Sequence, residues 1–510
     1  MKKVIILDFG SQYTQLIARK IRELGVFSEI FPFNKKISDI KKENPGAIIL
    51  SGGPQSVYDR DVPRPFVNLK ELEIPVLGIC YGLQLMSDLL GGKVIPSQKR
   101  EYGFASLKVQ KKEGLLEGVD DKSQVWMSHG DRVQKIPPGF SVTGKTENCD
   151  SAVIENNKDR LFGVQFHPEV IHTHQGKKIL SNFLFKISGL KPNWNIGSFI
   201  DTKVQEIKEL IGDEKVICGL SGGVDSLVTS LLLKQAVDEN LTCIFVNNGL
   251  LRKGQYENLI YKFRKEFKLE VAAADATESF LMKLKGVVAP EEKRKIIGKE
   301  FIKIFEHEAK KIGKVKFLAQ GTIYSDVIES SSVTGPSASI KSHHNVGGLP
   351  ENLSFQLVEP LKELFKDEVR ELGIKLGVKK DFIYQHPFPG PGLAVRIVGE
   401  VTNDRLKTVR DADAIVIEEV KRTGIYNDLW QAFVVLLPVK SVGVMGDKRT
   451  YQRVVVVRLV QSIDGMTAGW FQADPSLLSR ISTRIVNEVE GVNRVVYDIT
   501  SKPPGTIEWE

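Results

Sequence analysis

The segment KVICGLSGGVDSLVTSLLLKQAV, residues 215–237, decides the fold of the middle of the chain. Its first six residues predict a buried strand, Ser-Gly-Gly predicts a tight turn, and the apolar stretch from Val224 to its end predicts a helix. Two more short apolar segments, at residues 242–246 and 317–321, follow with helix-like sequence between them. Apolar strands that alternate with helices are typical of a parallel sheet covered on both faces. The sequence therefore predicts a doubly wound α/β domain around this segment.

The N-terminal part of the chain shows the same alternation. Apolar segments at residues 4–7, 47–50 and 75–79 alternate with amphipathic sequence, including a predicted helix over residues 16–24. After HPFPGPGL, residues 386–393, strands such as RVVVVRLV mix with amphipathic helices, which is typical of an α+β domain. We therefore predict two doubly wound parallel-sheet domains followed by a smaller α+β domain. Their expected ranges are 1–190, 191–385 and 386–510, with KPNWNIGSF at residues 191–199 as a linker.

Length and composition exclude several classes of protein. The chain has 510 residues, enough for about three domains, and its 42% hydrophobic and 26% charged residues are those of a folded globular protein. The four cysteines form no CxxC motif, so we expect a reducing cytoplasm and neither a disulfide scaffold nor a structural metal site. We expect no signal peptide and no membrane span, because the apolar runs are too short. The net charge of +8 suits anionic ligands, but without an arginine-rich arm or an RNA-recognition motif we expect no nucleic-acid partner.

Three motifs of the N-terminal part each follow an apolar strand. GICYG puts Cys80 between a strand and a predicted helix, where small neighbours allow a strained turn and the helix N-terminus favours a thiolate. QFHPE puts His167 and Glu169 on one side of an extended segment, so the carboxylate can orient the imidazole. The glycines of LSGGP, residues 50–54, can supply backbone donors to an oxyanion. Taken singly, the three motifs also fit a buried structural cysteine, an ordinary strand end and an everyday turn.

Together these motifs resemble those of the class I glutamine amidotransferases over about residues 1–190. The resemblance implies that Cys80 attacks the carboxamide of glutamine, that His167 moves protons and that Glu169 orients His167. It also implies that ammonia is the useful product. The further residues that it assigns are Gly53 and the amide of Tyr81 for the oxyanion, Gln84 for glutamine, and the turn SHGD at residues 128–131.

A second site is indicated by SGGVDS, residues 221–226. Backbone amides and a helix N-terminus can cradle phosphate there, and Asp225 is placed to hold a magnesium ion that bridges phosphates. The segment is not a Walker A motif, because GxxxxGK[ST] is absent. It resembles the PP-loop of ATP pyrophosphatases, which release pyrophosphate and transfer AMP. The resemblance implies ATP as cosubstrate, Mg²⁺ at Asp225, and ATP binding by Ser221, Gly222, Gly223, Val224, Asp225 and Ser226.

Further motifs extend the resemblance over the whole chain. ILDFGSQYTQLIARKIRE, EEKRKIIGKEFI, HPFPGPGLAVR, VGVMGDKRTY and TSKPPGTIEWE are similar to segments of the glutamine-hydrolysing GMP synthetase family, in the same order. Membership would imply that XMP (xanthosine 5′-monophosphate) is adenylated to adenyl-XMP and that ammonia then displaces AMP. XMP, ATP, glutamine and water would thus give GMP, AMP, pyrophosphate and glutamate, in purine biosynthesis. The resemblance also implies a homodimer through the C-terminal domain, and XMP binding by Arg294, Gln431, Asp447, Arg449, Lys502 and Glu508.

Two other functions are compatible with parts of the sequence. Another glutamine- and ATP-dependent amidating ligase, such as one acting on a nicotinic acid dinucleotide, would use the same two sites. An RNA-modifying PP-loop protein would use the basic charge, although no RNA-binding motif supports it. Each charged residue assigned to XMP also has a plainer interpretation as a solvated surface charge.

A few residues invite other interpretations. His172 and His174 suggest a metal site with His167, but no cysteine or carboxylate set completes a tetrahedral site, so we interpret them as loop residues. His343 and His344 suggest a metal or acid/base role, but the resemblance implies that their long polar loop is a mobile cover over the site, so we interpret them as loop residues too. Asn247 stands where members of the family often carry Asp. If that Asp serves ATP or magnesium, this chain has an amide in its place, and the role of the position stays open.

Overall fold

The computed structural model describes residues 2–510 apart from residues 61, 66–68, 332–354, 463, 464 and 466. The pair His343 and His344 lies outside the described residues. Internal contacts divide the chain into two compact units, Met1–Ser198 and Phe199–Glu510. The boundary between the units falls inside the linker that the sequence predicts at residues 191–199, while the division into three domains stays a prediction.

The first unit is built on one mixed sheet. Over its described residues the strand order is β2-β1-β3-β4-β9-β8-β7-β5-β6. The strands are β1 (Lys3–Asp8), β2 (Ser28–Pro32), β3 (Pro45–Leu50), β4 (Val76–Ile79), β5 (Lys93–Val109), β6 (Ser123–Lys135), β7 (Ser141–Lys145), β8 (Val153–Asn156) and β9 (Leu161–Val164). The helices are α1 (Thr14–Glu23), α2 (Ile37–Lys42), α3 (Tyr81–Leu89) and α4 (Gly176–Ser181), and α5 (Ile196–Ile211) crosses into the second unit.

The predicted parallel sheet is found in one half of this unit. Strands β2, β1, β3, β4 and β9 run parallel, and β3 and β4 are buried along their whole length. The other half is antiparallel, which the sequence did not predict. Short connections account for the difference, because the four residues between β8 and β9 allow a hairpin but not the crossover that a parallel pair needs.

The second unit begins with the doubly wound sheet that the sequence predicts. All its strand pairs are parallel, in the order β12-β11-β10-β13-β14. The strands are β10 (Val216–Leu220), β11 (Leu241–Asn247), β12 (Val271–Asp275), β13 (Phe317–Ala319) and β14 (Gln356–Val358). The helices are α6 (Val224–Val237), α7 (Gln255–Tyr261), α8 (Thr277–Leu284), α9 (Pro290–Ile312), α10 (Tyr324–Ser331), α11 (Lys366–Lys375) and α12 (Lys380–Ile383).

The topology of this sheet places a ligand site beside β10. The strand order reverses there, since β11 lies on one side and β13 on the other. In open α/β sheets, ligands bind outside the carboxyl ends of the strands at such a switch point. The loop that follows β10 is the SGGVDS motif.

The remainder of the second unit has the predicted α+β character. The antiparallel pair β15 (Gln431–Met445) and β16 (Lys448–Gln461) is joined by β17 (Gly469–Trp470) and, parallel to β16, by β18 (Val492–Tyr497). Helices α13 (Asn403–Arg422) and α14 (Pro475–Glu488) complete it. One hydrophobic cluster contains Ile217 and Ile244 of the parallel sheet as well as Val409 and Ala432 of this part. The whole second unit therefore shares a continuous core.

Within the described parts of the chain, no helix has both the length and the apolar character that a membrane span requires.

Candidate active sites

Cys80 lies at a strained turn between a strand and a helix. It follows β4 directly and precedes α3, with φ +52° and ψ −105°, a conformation that a residue with a side chain rarely adopts. Such strain costs about 1–3 kcal/mol and is found mainly at functional sites. The turn is held in place because the Cys80 amide donates to the Val164 carbonyl of β9 over 2.8 Å. The side chain is 5% exposed.

Two glycines make this turn possible. A Cβ atom on Gly78 would lie 2.6 Å from the backbone of Gly82, and one on Gly82 would overlap the backbone of Leu50. Any larger residue at either position would push α3 away from the sheet. The GICYG sequence therefore sets the place of the Cys80 thiol, as a nucleophile elbow does.

His167 and Glu169 form a buried pair next to this thiol. His167 Nδ1 lies 2.7 Å from Glu169 Oε1, and the two side chains are 4% and 0% exposed. Cys80 also interacts electrostatically with His167. Burial by itself would lower the pKa of His167, but the charge of Glu169 and the interaction with Cys80 outweigh it and raise that pKa well above its usual value. The arrangement can therefore hold an imidazolium beside the Cys80 side chain.

The backbone around His167 fixes its position. Its amide donates to the Trp126 carbonyl of β6 over 3.0 Å, and its carbonyl accepts from the Thr173 hydroxyl over 2.6 Å. The SGGP turn also approaches the ring, because a Cβ on Gly52 would lie 3.2 Å from His167 Cε1. The predicted oxyanion loop and the predicted base are thus neighbours.

Gly53 and Tyr81, the predicted oxyanion donors, pack against each other. A Cβ on Gly53 would lie 3.2 Å from the Tyr81 ring. Tyr81 is the first residue of α3, so its amide is among those that have no acceptor within the helix. Its hydroxyl donates to the Pro63 carbonyl over 2.9 Å, and burial raises the pKa of Tyr81 to about 12. The phenol is therefore neutral at physiological pH.

Gln84 belongs to a chain of amides that reaches the thiol. Gln84 Nε2 donates to the Asp131 carbonyl over 3.0 Å and to Gln165 Oε1 over 3.3 Å. Gln165 Nε2 in turn lies 3.7 Å from Cys80 Sγ, and Sγ lies 3.6 Å from the Ser128 carbonyl. The SHGD segment therefore borders the site, but it lies inside strand β6 and does not form the turn that the sequence suggested. Gln165 is a contact that sequence reasoning missed inside the QFHPE motif.

His172 and His174 make their contacts with residues outside the triad. The His172 ring packs on Trp126 and Phe104 at centroid distances of 4.7 and 5.6 Å, and His174 Nε2 lies 3.1 Å from Gln124 Nε2. Nowhere in the described residues do three or more His, Cys, Asp or Glu side chains converge as metal ligands would.

The SGGVDS segment forms a compact loop at the carboxyl end of β10. Ser226 Oγ accepts from the Ser221 amide over 3.1 Å, and Ser221 Oγ accepts from the Gly223 amide over 3.2 Å. Gly222 has φ +83°, and a Cβ there would lie 2.7 Å from Leu259. Val224 begins α6. The loop therefore presents backbone amides at a helix N-terminus, the arrangement that binds phosphate.

Asp225 is ion-paired with a residue that the sequence did not single out. Its two carboxylate oxygens lie 2.7 and 2.6 Å from Lys366 Nζ, at the start of α11. No local signal could have identified Lys366, because the two residues are 141 positions apart and lysine is frequent in this chain. A cation and an anion thus both border the phosphate loop.

Asn247 lies at the carboxyl end of β11. Its Oδ1 accepts from the Gly249 amide over 3.1 Å, so it shapes the following turn. Its register partner on β12 is Asp275, whose pKa is held below the usual range by Thr277. A carboxylate therefore lies beside the position where the family often has Asp.

Three of the residues assigned to XMP are brought close together. Arg396 donates to Glu508 through Nε and Nη2 over 3.1 and 2.9 Å, and Gln431 Nε2 lies 3.3 Å from Glu508 Oε1. Arg294 Nη2 donates to the Glu510 carbonyl. Arg396, fully buried in the HPFPGPGLAVR motif, is the central cation that residue-by-residue reasoning missed.

The segment around these residues, 498–510, is held by buried cations. Arg458 is 1% exposed and binds Asp498 over 2.6 Å together with three carbonyls of the segment. Lys293 is fully buried and binds Glu510 Oε2. Lys502 donates to the Gly465 carbonyl over 2.8 Å. We call residues 498–510 the tail segment.

Asp447 and Arg449 are not near this group within one chain. They lie at the tip of the β15–β16 hairpin, where Val444 is the register partner of Arg449. At about 3.3 Å per strand residue, the tip lies on the order of 40 Å from Gln431 at the other end of β15.

Comparisons with known proteins identify the family of the chain. A model of the class I glutamine amidotransferase family matches residues 5–187, a model of the NAD synthase family matches residues 195–295, and one of the GMP synthase C-terminal domain matches residues 418–509. Proteins named GMP synthase [glutamine-hydrolyzing] from Brachyspira hyodysenteriae and Carboxydothermus hydrogenoformans are each 56% identical over 508 residues, which is 100% of this chain and 99% of each relative. The chain belongs to the glutamine-hydrolysing GMP synthase family.

Membership confirms the predicted function, which is glutamine-dependent GMP synthesis by a ligase with ATP as cosubstrate. A relative in Aquifex aeolicus, also named GMP synthase [glutamine-hydrolyzing], is 54% identical over 509 residues. The alternative of another amidating ligase is not favoured, because the NAD synthase model covers only part of the second unit whereas the GMP synthase relatives match from end to end. The predicted α/β fold class is confirmed as well.

In this GMP synthase family member, we expect Glu169→Gln to shift the alkaline limb of glutamine hydrolysis to lower pH. Glu169 is the main influence that raises the pKa of His167, so without its charge the imidazolium loses its proton at lower pH. The maximal rate should also fall roughly a hundredfold. The measurement is a pH profile of glutamate release, with ammonia-driven GMP synthesis as the control that keeps its profile. An unmoved alkaline limb would contradict this role.

Proposed function

We propose that the two candidate sites divide GMP synthesis into ammonia release at Cys80 and adenylation of XMP at the SGGVDS loop. The single observation that carries this proposal is the buried Cys80, His167 and Glu169 contact at the end of a parallel sheet, separate from a phosphate loop in another compact unit. The two sites need different chemistry, because one breaks an amide and the other activates an oxygen as a leaving group.

In the first half-reaction, the Cys80 thiolate attacks the carboxamide carbon of glutamine. The negative charge that develops on the oxygen is stabilised by the amides of Gly53 and Tyr81, and such donors are worth about 3 kcal/mol each. His167 gives its proton to the departing nitrogen, which leaves as ammonia. A thioester between Cys80 and the glutamyl group remains. His167 then takes a proton from water, and the resulting hydroxide releases glutamate. Glu169 keeps the imidazole ring aligned throughout.

In the second half-reaction, the loop from Ser221 to Ser226 binds the phosphates of ATP. The C2 oxygen of XMP attacks the α-phosphorus, and pyrophosphate leaves. Ammonia then attacks C2, AMP departs with the oxygen, and GMP results. Backbone amides and the N-terminus of α6 supply the positive field that this charge transfer needs.

Asp225 has the donor chemistry for Mg²⁺. Magnesium is usually held in nucleotide sites by one or two carboxylates and by the substrate phosphates, so a single aspartate at the loop is sufficient. Lys366 now occupies both carboxylate oxygens and would move to a phosphate oxygen when the ion binds. When bound, Mg²⁺ would neutralise negative charge on the phosphates.

XMP binding is assigned to Arg294, Gln431, Lys502 and Glu508, with Arg396 as their organising cation. In the described structure, Gln431 Oε1 is buried without a hydrogen-bond partner, whereas Arg396 Nη1 faces the buried Asp413 carboxylate over 3.7 Å. Buried polar atoms are rarely left unpaired in a folded protein, so Gln431 Oε1 supports a polar ligand here. Asp447 and Arg449 reach such a site only from another copy of the chain.

A homodimer through the C-terminal part is supported by the distal half of the β15–β16 hairpin. Val439, Val442, Val444 and Tyr451 are 53%, 43%, 74% and 64% exposed. A two-stranded hairpin is marginally stable alone in water, and β18 pairs with β16 only along Arg453–Val457. A second copy packed on this face would bury the exposed apolar side chains.

A cytoplasmic location is supported by the cysteines. All four are free and buried, which suits a reducing compartment.

We expect Cys80→Ala to abolish GMP synthesis from glutamine and to leave synthesis from ammonium unchanged, because only the first half-reaction uses the thiol. The measurement follows GMP and pyrophosphate with each nitrogen source. Cys149→Ala is the control, since burial raises the pKa of the Cys149 thiol to about 12 and keeps it unreactive. Loss of both activities in the Cys80 variant would refute the division.

We expect Asp225→Asn to remove pyrophosphate release with either nitrogen source by at least roughly a hundredfold, since the second half-reaction loses its metal ligand. Glutamine hydrolysis at Cys80 should persist. Asp381→Asn, which changes an exposed aspartate of α12, is the control and should keep full activity. Normal pyrophosphate release by the Asp225 variant would rule out its role.

We expect Val444→Asp to convert the dimer to a monomer, because a charge at the hairpin face opposes its burial. Sedimentation of the full chain at micromolar concentration measures the mass. Met282→Asp on α8 is matched in exposure, at 73%, and should stay dimeric. Equal masses for the two variants would place the interface elsewhere.

A further inference from the structure

The first unit contains a second buried acid and histidine pair that the proposed steps do not use. Glu101 of β5 and His129 of β6 are register partners across the hairpin. Their side chains are 7% and 3% exposed. His129 belongs to the SHGD motif, whose Ser128 carbonyl lies 3.6 Å from Cys80 Sγ. His129 is therefore the strand neighbour of Ser128, the β6 residue whose carbonyl contacts Cys80.

Both ring nitrogens of His129 face hydrogen-bond acceptors. Nδ1 lies 2.7 Å from the carbonyl oxygen of Asp131, and Nε2 lies 3.2 Å from Glu101 Oε2. A neutral imidazole has only one N–H donor, whereas the imidazolium has two. A carbonyl oxygen can only accept, so full hydrogen bonding of the ring requires a proton on both nitrogens when Glu101 is ionised.

The surroundings of Glu101 keep it ionised. Burial alone would raise its pKa, but the hydrogen bond from His129 and those from Thr146 and Asn148 outweigh burial and hold that pKa below the usual range. Thr146 Oγ1 donates to Glu101 Oε1 over 3.1 Å. Glu101 and His129 therefore form a buried, charge-assisted pair, and such hydrogen bonds are about twice as strong as neutral ones.

This pair is connected to the glutaminase site through one oxygen atom. The Asp131 carbonyl accepts from His129 Nδ1 and also from Gln84 Nε2 over 3.0 Å. Gln84 continues through Gln165 to Cys80. The Asp131 carboxylate is held by the hydroxyls of Ser56 and Tyr58, which follow the SGGP turn. Asp131 of β6 thus hydrogen-bonds both helix α3, which follows Cys80, and the segment after the SGGP turn.

We propose that Glu101 and His129 are positioning residues for glutamine: His129, held by Glu101, donates from Nδ1 to the Asp131 carbonyl, which sets the place of Gln84 and of the Ser128–Asp131 backbone beside Cys80. The proposal rests on the proposed role of Cys80 as the glutaminase nucleophile. It predicts that the N–H at the Nδ1 position matters most, because that hydrogen bond leads to the site.

Three substitutions of His129 in the full chain separate this role from a merely structural one. His129→Leu removes both donors and should raise KM for glutamine about tenfold or more, with a smaller change in kcat. His129→Asn restores a donor near the Nδ1 position and should recover most of the KM. His129→Gln restores a donor toward Glu101 alone and should not. If the pair served only to satisfy buried Glu101, Gln would be the rescuing residue and Asn would fail, and that result would overturn the proposal.

The carboxylate has a matched control in the same unit. Glu101→Gln removes the carboxylate that holds His129 Nε2, so the imidazole is less firmly placed against the Asp131 carbonyl and the KM for glutamine should rise several-fold. Glu155 of β8 is 1% exposed and accepts from the Leu115 amide and the Thr143 hydroxyl, but it has no path to Cys80. Glu155→Gln should leave KM unchanged. Equal effects of the two substitutions would also overturn the proposal.

Ammonia-driven synthesis and Cys80→Ala distinguish the possible failures. All His129 and Glu101 variants should make GMP from ammonium at the unsubstituted rate, which shows that the second unit is intact. If Cys80→Ala abolishes glutamine use but His129→Leu keeps a normal KM, the positioning role fails alone. If Cys80→Ala still uses glutamine, the proposed function of the first unit fails. Where His129→Leu does not fold, the comparison of Asn with Gln decides the question.

Discussion

The structure depends on how closely a parallel strand and the helix that follows it can approach each other. At Cys80 a single residue separates β4 from α3. Because Gly78 and Gly82 have no side chains, the start of α3 can lie directly against β3 and β4. At Ser221 the turn has three residues, and Gly222 at φ +83° lets it curl towards the helix. In both places the absence of a Cβ atom allows amides at a helix N-terminus to face a reacting group. The positions of both candidate sites follow from this constraint.

The two compact units solve different electrostatic problems. Around Cys80 the charged groups are few and fully buried, so each pair, such as His167 with Glu169, interacts strongly in a medium of low polarity. Around Ser221 the ion pair of Asp225 and Lys366 is partly exposed, with side chains 28% and 43% accessible. Partly exposed pairs are weak and exchange easily. The pyrophosphate release proposed for the SGGVDS loop benefits from such exchange, whereas the attack proposed for Cys80 benefits from rigidity.

The sequence predicted those features that depend on neighbouring residues. Helix α6 was predicted at its observed bounds, because its start is set by the preceding glycine turn and its length by the apolar run that follows. The triad motifs were also found, since each follows its own strand. Features that depend on distant residues were missed. The antiparallel pairing of β7, β8 and β9 is set by loop lengths and partners, and Arg396 meets Glu508 across 112 positions. Likewise, nothing in VGVMGDKRTY shows that the β15–β16 hairpin places Arg449 far from Gln431.

The tail segment, residues 498–510, has a consequence for the order of assembly of the second unit. Three buried cations, Arg396, Arg458 and Lys293, bind this segment from other parts of the unit. Lys293 binds Glu510, which is 217 positions away in the sequence. Buried cations without their carboxylates are strongly destabilising, by about 3–5 kcal/mol for each broken pair. A chain that has not yet docked this segment therefore lacks both a settled core and the residues assigned to XMP. Access to the proposed XMP site is thereby tied to the folding of the whole unit, and under this proposal incompletely folded molecules would not sequester XMP.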